Sequence, residues 1–377
     1  MNRIYLDHAA TSPMHPEVAE TFSEALLSVF GNPSSIHGTG RAARKTLDDA
    51  RRMFAASIHA DDPEIIFTSG GTEADNMAIF GTAAKKEGKH IITSQIEHHA
   101  VLHACEKLER EGYDVTYLPV DEKGLVRAED VKNALRDDTI LVTIMLGNNE
   151  VGSVQPIAEI GELLKETEIT FHTDAVQAYG VLPIDVEALN VDLLSVSAHK
   201  LNGPKGIGFL YQRKGTPLSP IFYGGEQERK RRAGTENVPA IAAFAKAVEI
   251  SLATMDERAA AYARYKQIFK DVLTDEGIEF SENGGSQMPH ILNLSLPGID
   301  IESFLVNLDI AGISASSGSA CTAGSIDPSH VLVAMFGEKA EQLRNSIRFS
   351  FGIGLTEQQI TEAAEMTAQI SKRLALL

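Results

Sequence analysis

From about residue 64 the chain alternates short runs of β-branched and aromatic residues with longer stretches of helical period, and that alternation leaves few folds open. Ile65-Ile66-Phe67, Ile91-Ile92-Thr93, Thr139 to Met145 and Thr170-Phe171-His172 are the first four runs. The pattern predicts an α/β fold with a mostly parallel sheet and crossover helices. Leu193 to Ser197 and Gly206 to Tyr211, the latter preceded by the turn signal Asn202-Gly203-Pro204, bring the sheet to six or seven strands. After Pro239 a long helical stretch, Ala240 to about Leu273, interrupts the alternation, and 377 residues exceed the usual size of one domain. The domain change is placed inside that stretch. Residues 15–255 are expected to form a large domain, and residues 1–14 with 256–377 a smaller α+β domain, with a strand at His290 to Leu296 and helices at Ile301 to Asp309 and Glu357 to Leu374.

Acidic residues outnumber basic ones by 52 to 34, for a formal charge of -18, which argues against broad binding to nucleic acid or an anionic membrane. The compact basic run Glu228-Arg229-Lys230-Arg231-Arg232 reads as a solvated loop or a local patch. Two cysteines cannot build a disulfide framework, and the first residues lack the basic-then-apolar pattern of a secretory signal, so a reducing, cytoplasmic setting is expected. No apolar run approaches the ~18 residues that span a bilayer.

In open α/β sheets ligands sit beyond the carboxyl ends of the strands, so the residues just after each run are the candidates. Ile65-Ile66-Phe67 leads into Thr68-Ser69-Gly70-Gly71-Thr72-Glu73-Ala74, where free N–H groups at a helix start suit a phosphate at Gly71 and Thr72; a plain turn has the same composition. Ile96-Glu97-His98-His99-Ala100 follows the next run, and a histidine there could stack on a cofactor ring or relay a proton. His99 and His103 have helical metal-pair spacing, but Ala100 stands where a metalloprotease needs Glu and no cysteine cluster joins them, so no metal is expected. Asp174 ends a strand and Gln177 follows it: together they could hold a pyridine nitrogen and a phenolic oxygen, although an aspartate there also serves as an N-cap.

Ser195-Val196-Ser197-Ala198-His199-Lys200-Leu201-Asn202-Gly203-Pro204-Lys205-Gly206 places a lysine between a strand end and a Gly/Pro turn. Facing inward, Lys200 would lose hydration, and its lowered pKa would make it a good Schiff-base former, with Ser197 and His199 near enough to help hold a phosphate. Asn149, after the run ending at Met145, could read polar groups of a ligand. Arg348 alternates with apolar neighbours in Ser346-Ile347-Arg348-Phe349-Ser350 and could clamp a carboxylate or form a structural ion pair. The small-residue stretch Ser314 to Ser325 is expected to be a mobile loop about residues 314–326, and Cys321 within it has the tether a swinging nucleophile needs. Cys105, in Val101-Leu102-His103-Ala104-Cys105, fits a core position.

These residues in this order resemble the cysteine desulfurases of the NifS/IscS type, class V aminotransferases among the fold-type I pyridoxal-phosphate enzymes. The resemblance runs from Tyr5-Leu6-Asp7-His8-Ala9-Ala10-Thr11 through Gly31-Asn32-Pro33-Ser34-Ser35-Ile36-His37 to Arg348, so it covers nearly the whole chain. It implies pyridoxal 5'-phosphate as cofactor, bonded to Lys200, stacked by His98, and held at its ring by Asp174 and Gln177 and at its phosphate by Gly71, Thr72, Ser197 and His199. It implies a homodimer in which Thr235 reaches the phosphate of the other subunit, and it links Asn32, Asn149 and Arg348 to the substrate, L-cysteine. The reaction implied gives L-alanine and a persulfide on Cys321. The loop Ser316 to Cys321 is similar to that of group I enzymes, which hand sulfur to partner proteins, and the whole looks closest to a Bacillus-type member tied to tRNA thiolation. The acceptor would be a tRNA thiouridylase or an iron–sulfur scaffold. A selenocysteine lyase or an aminotransferase on the same fold is the alternative.

Overall fold

The structure, a computed structural model, describes residues 3–285, 287–317 and 328–375. The strands among the described residues are β1 (Ile4–Tyr5), β2 (Ile65–Thr68), β3 (His90–Ser94), β4 (Asp114–Leu118), β5 (Thr139–Thr143), β6 (Thr170–Asp174), β7 (Leu193–Ser197), β8 (Gly208–Gln212), β9 (Ser281–Glu282), β10 (Ile291–Ser295), β11 (Ile313–Ser314) and β12 (Ser346–Ser350).

Seven of them form one sheet in the order β2-β8-β7-β6-β5-β3-β4. All neighbours are parallel except at β8, which runs against both β2 and β7. The reason lies in the connection. Only residues 198–207 separate β7 from β8, too few for the crossover of a dozen or more that a parallel neighbour requires. The strands β2, β3, β5, β6 and β7 are buried along their whole length, as expected where helices cover both faces. Strand β4 is the edge strand absent from the sequence reading. Its outward end at Asp114 is exposed and the strand is mostly half-buried, so it lacks the continuous apolar run that marks the others.

The long helical stretch is two helices, Val238–Ala253 and Met255–Asp275, bent by 69°. Ala243, Phe244 and Val248 of the first belong to the core beneath the large sheet. Tyr262, Phe269 and Leu273 of the second belong to a separate core, with Ile4 and Leu6 of the N-terminal segment and Phe349 of β12. That second core is roofed by the antiparallel sheet β12-β10-β9 and closed by helices Ile301–Ile310 and Glu357–Leu374. Among the described residues no single helix is long and apolar enough to cross a membrane.

The expected loop from residue 314 begins instead as paired backbone. Ser314 ends β11, which is parallel to β1, and Ser316 exchanges backbone hydrogen bonds with Arg348 at 2.7 and 3.3 Å. Cys321 lies outside the described residues.

Phe54, on the helix Gly38–Ser57, locks that helix to the sheet: its ring centroid lies 5.6 Å from Phe67, 5.4 Å from Phe209 and 4.6 Å from Phe244. Because the residue has no exposed surface, Phe54→Ala is expected to destabilise this core by about 3–5 kcal/mol. Urea unfolding followed by circular dichroism checks it, and an unchanged midpoint would show the cluster to be dispensable.

Candidate active site

All the parallel strands of the large sheet present their carboxyl ends along one edge, and five of them deliver side chains to a single cavity of about 360 Å³. Strand β2 supplies Gly71 and Thr72 and, one turn further along the helix Gly71–Ala83, Asp75; β3 supplies His98; β5 supplies Asn149; β6 supplies Asp174 and Gln177; β7 supplies Ser197, His199 and Lys200. Arg348 comes from β12, and Ala9, Ala10 and Ser316 also line the space.

Lys200 sits where the chain turns out of β7, and its Nζ donates to the carbonyl oxygens of Ala9 at 2.5 Å and Ala10 at 2.9 Å. Carbonyl dipoles replace only part of the hydration an ammonium ion needs. Desolvation, helped by the nearby charge of Arg348 and opposed by Asp174 and Asp7, lowers its pKa to about 7. An amine that is half neutral near physiological pH can attack a carbonyl.

His98 caps the helix His99–Arg110: its Nδ1 accepts from the Ala100 N–H at 3.1 Å, so the neutral ring carries its proton on Nε2. The protein packed around the ring, and after that Lys200 and the neighbouring histidines, bring its pKa down to about 4. Asp174 is buried, accepts one hydrogen bond from the Val176 N–H at 2.8 Å, and is raised by burial to about 6. A buried carboxylate facing a cavity is stabilised by a cation placed opposite it. Gln177 donates through Nε2 to the Ala9 carbonyl at 2.8 Å, the same oxygen that Lys200 uses.

The phosphate end of the site is built from backbone. Gly70, with φ at 150°, starts the helix Gly71–Ala83 without any side-chain cap, which leaves the first N–H groups for a ligand. A Cβ on Gly71 would lie 2.7 Å from Val176 Cγ2, so glycine keeps that cradle open. Ser197 and His199 flank it, and His199 Nδ1 is 3.1 Å from Thr11 Oγ1. Burial, and after it the neighbouring lysines and His98, lower His199 to about 4. An uncapped helix start, a neutralisable lysine and a buried carboxylate around one cavity fit pyridoxal 5'-phosphate in donor set and in charge.

Arg348 answers both sequence readings at once. It lines the cavity, yet its Nη2 donates to Asp7 Oδ1 at 2.7 Å and its Nη1 to the Asn149 carbonyl at 2.8 Å. Its buried Nε has no hydrogen-bond partner. Asn149 is therefore also a backbone acceptor that holds the arginine. Its neighbour Asn148 is structural: Oδ1 accepts from the N–H groups of Glu150 and Val151, both at 2.9 Å.

Asn32 and Thr235 are not brought to this cavity. Both are exposed, and Asn32 Oδ1 accepts from the Ser34 N–H at 2.9 Å within its own turn. Cys105 is buried among Ile79, Ile91 and Val101 as a core residue. The sequence reading missed Asp75, Asp7 and the carbonyls of Ala9 and Ala10. Asp75 could have been found, since it lies four residues after Gly71 and so shares its helix face; the N-terminal carbonyls carry no side-chain signal at all.

The chain matches the model of the family "Aminotransferase class-V" over residues 4–362. It is 61% identical to "Putative cysteine desulfurase IscS 1" of Bacillus subtilis (strain 168), over 99% of this chain and 100% of that protein. A solved structure titled "NIFS-LIKE PROTEIN" superposes with a TM-score of 0.91 at 34% identity, covering 100% of both chains. Another, "SspA in complex with cysteine", gives 0.81 at 37% identity over 92% of this chain and 98% of its own. The chain belongs to the class-V aminotransferase family of pyridoxal 5'-phosphate enzymes, among its NifS/IscS-like cysteine desulfurases.

Proposed function

We propose that the chain is a cysteine desulfurase that converts L-cysteine to L-alanine and takes the sulfur onto Cys321 as a persulfide. The observation that carries this reading is the meeting of a desolvated Lys200, a buried Asp174 and a neutral His98 around one cavity, with Arg348 on its wall. Its relatives bear names of that activity.

Pyridoxal 5'-phosphate, when bound, supplies an electron-withdrawing ring that draws electron density from the substrate bonds to be broken. In this reading Lys200 would attach the cofactor and hold or move protons at Nζ. Asp174 would hold the ring through its nitrogen and Gln177 through its phenolic oxygen. Gly71, Thr72, Ser197 and His199 seat the phosphate. His98 would stack on the ring and move protons at Nε2. Asn149 and Arg348, on the cavity wall, receive the substrate, with Arg348 as the cation for its carboxylate, and Asn32, which does not reach the cavity of its own chain, would serve the partner's site. The Cys321 thiolate attacks the substrate sulfur, the carbon–sulfur bond breaks with its electron pair left on carbon, and a proton delivered there completes alanine. No outside oxidant is needed, because the carbon gains the electrons that the sulfur gives up.

The two cores support a division near residue 255 into residues 15–255 and residues 1–14 with 256–377, with Ala9, Met288 and Ile291 of the smaller unit packed into the large core. We also read the enzyme as a cytoplasmic homodimer in which Thr235 serves the partner's site. Its exposure supports this, as do Leu27, Phe30, Ile36 and Tyr223, apolar side chains 77–90% exposed. The persulfide would pass to an acceptor protein, a tRNA thiouridylase or an iron–sulfur scaffold.

Purified protein is expected to release alanine from L-cysteine, and Cys321→Ala to lower that rate by about two orders of magnitude or more while leaving the cofactor absorbance in place. Alanine release undiminished in the variant would remove Cys321 from the reaction. A second expectation concerns Lys200. Its amine is protonated below about pH 7, so uptake of cofactor by the stripped chain should quicken about tenfold per pH unit up to that point and level off above it. A plateau reached only near pH 10 would show that the amine is not desolvated.

A further inference from the structure

The basic segment Glu228–Arg232 has no part in the reaction above, and it is not a free patch of charge. Glu228 is buried, and its carboxylate accepts from both terminal nitrogens of Arg51, at 2.9 and 2.7 Å, and from the Phe67 N–H at 3.1 Å. Around it the backbone is left-handed at three successive residues, with φ of 47° at Glu228, 57° at Arg229 and 68° at Lys230. Residues with a Cβ resist that conformation and keep it only where their surroundings impose it. Lys230 pairs with Glu226 at 3.0 Å, and Arg231 spends its donors on Glu228 O, Gln212 Oε1 and Pro63 O.

The turn delivers Arg232 to Glu73. Nε meets Oε1 at 2.7 Å and Nη2 meets Oε2 at 3.1 Å, while the same Oε2 accepts from the Ser69 N–H at 2.7 Å. Glu73 is buried in the first turn of the helix Gly71–Ala83, and through the Ser69 N–H its carboxylate is bonded to the same turn that lines the cavity at Gly71 and Thr72. Burial works to raise its pKa, but the hydrogen bonds from Arg232 and Ser69 prevail and hold it below the usual carboxylate range. Glu73 is thus a fixed negative charge beside a seat suited to a second anion, and two such charges in a partly dry site oppose each other.

We propose that Arg232 is a positioning residue for the cofactor phosphate: it cancels the charge of Glu73 so that the Ser69–Thr72 turn accepts an anion, and the buried Glu228–Arg51 pair sets the turn that delivers it. The proposal rests on the reading that the phosphate lies at Gly71 and Thr72.

The test compares two ligands on the full-length chain stripped of cofactor. Dissociation constants for pyridoxal 5'-phosphate and for pyridoxal, which lacks the phosphate, are read by absorbance, and their ratio is the preference for phosphate. Arg232→Met is expected to lower that preference by about tenfold. The double variant Glu73→Gln/Arg232→Met restores it, because glutamine still accepts from Ser69 but carries no charge. Arg232→Lys keeps most of it. Equal weakening of both ligands in Arg232→Met, or a double variant no better than the single one, overturns the proposal. Should Arg232→Met not fold, the double variant decides alone: a preference near wild type supports the role, and a tenfold loss overturns it. Thr72→Asp separates the two readings. It places an acid where a helix start tolerates one, and its charge abolishes the phosphate preference if the seat is there. A preference unmoved by Thr72→Asp overturns the seat and the proposal with it, whereas a preference lost in Thr72→Asp but kept in Arg232→Met overturns the role of Arg232 alone.

Discussion

The site depends on one costly arrangement, an ammonium group taken out of water and set against two backbone carbonyls. Lys200 has the oxygens of Ala9 and Ala10 as its hydrogen-bond partners, with a second cation, Arg348, on the same cavity. Nothing in that surrounding fully repays the lost hydration, and the consequence is a nucleophilic amine near neutral pH. The other site groups fall into place around it. Asp174 is the buried negative charge that partly offsets Lys200, and His98 stays neutral largely because burial and that lysine disfavour a further positive charge.

Three other charges are instead given a dedicated partner of opposite sign. Arg348 leans on Asp7, Glu73 on Arg232, and Glu228 on Arg51. Such pairs stabilise a fold weakly compared with apolar packing, but removing one partner leaves an uncompensated charge in a dry place. They therefore fix geometry. The two cores provide the stability, and the ion pairs decide where the loops between strands and helices can stand.

Much of this was legible in the sequence, for a definite reason. Strand-end residues such as His98, Asp174 and Lys200 follow apolar runs whose period announces the strand, so their place on one edge could be inferred without coordinates. Strand β4 escaped because an edge strand needs no continuous apolar run, and Asp75 escaped because its site face follows from helical rather than strand geometry. The basic segment misled in the opposite direction. Four cations in a row read as a solvated surface, yet the one acid among them, Glu228, is the residue that burial selects. Asn32 and Thr235 were supplied by resemblance alone, and neither reaches the cavity of its own chain.

The N-terminal strand has a further consequence for how the protein is made. Ile4 and Tyr5 pair with Ile313 and Ser314, Asp7 holds Arg348 across 341 residues, and Ala9 and Ala10 are the acceptors for Lys200. Residues 4–10 thus leave the ribosome well before the partners they pair with at residues 313–348. Contacts so distant in sequence form late, after the large sheet has condensed around its nearer neighbours. A growing chain can assemble the sheet and its helices before it can finish the cavity, so the reactive amine gains its final surroundings only after β12 has been made.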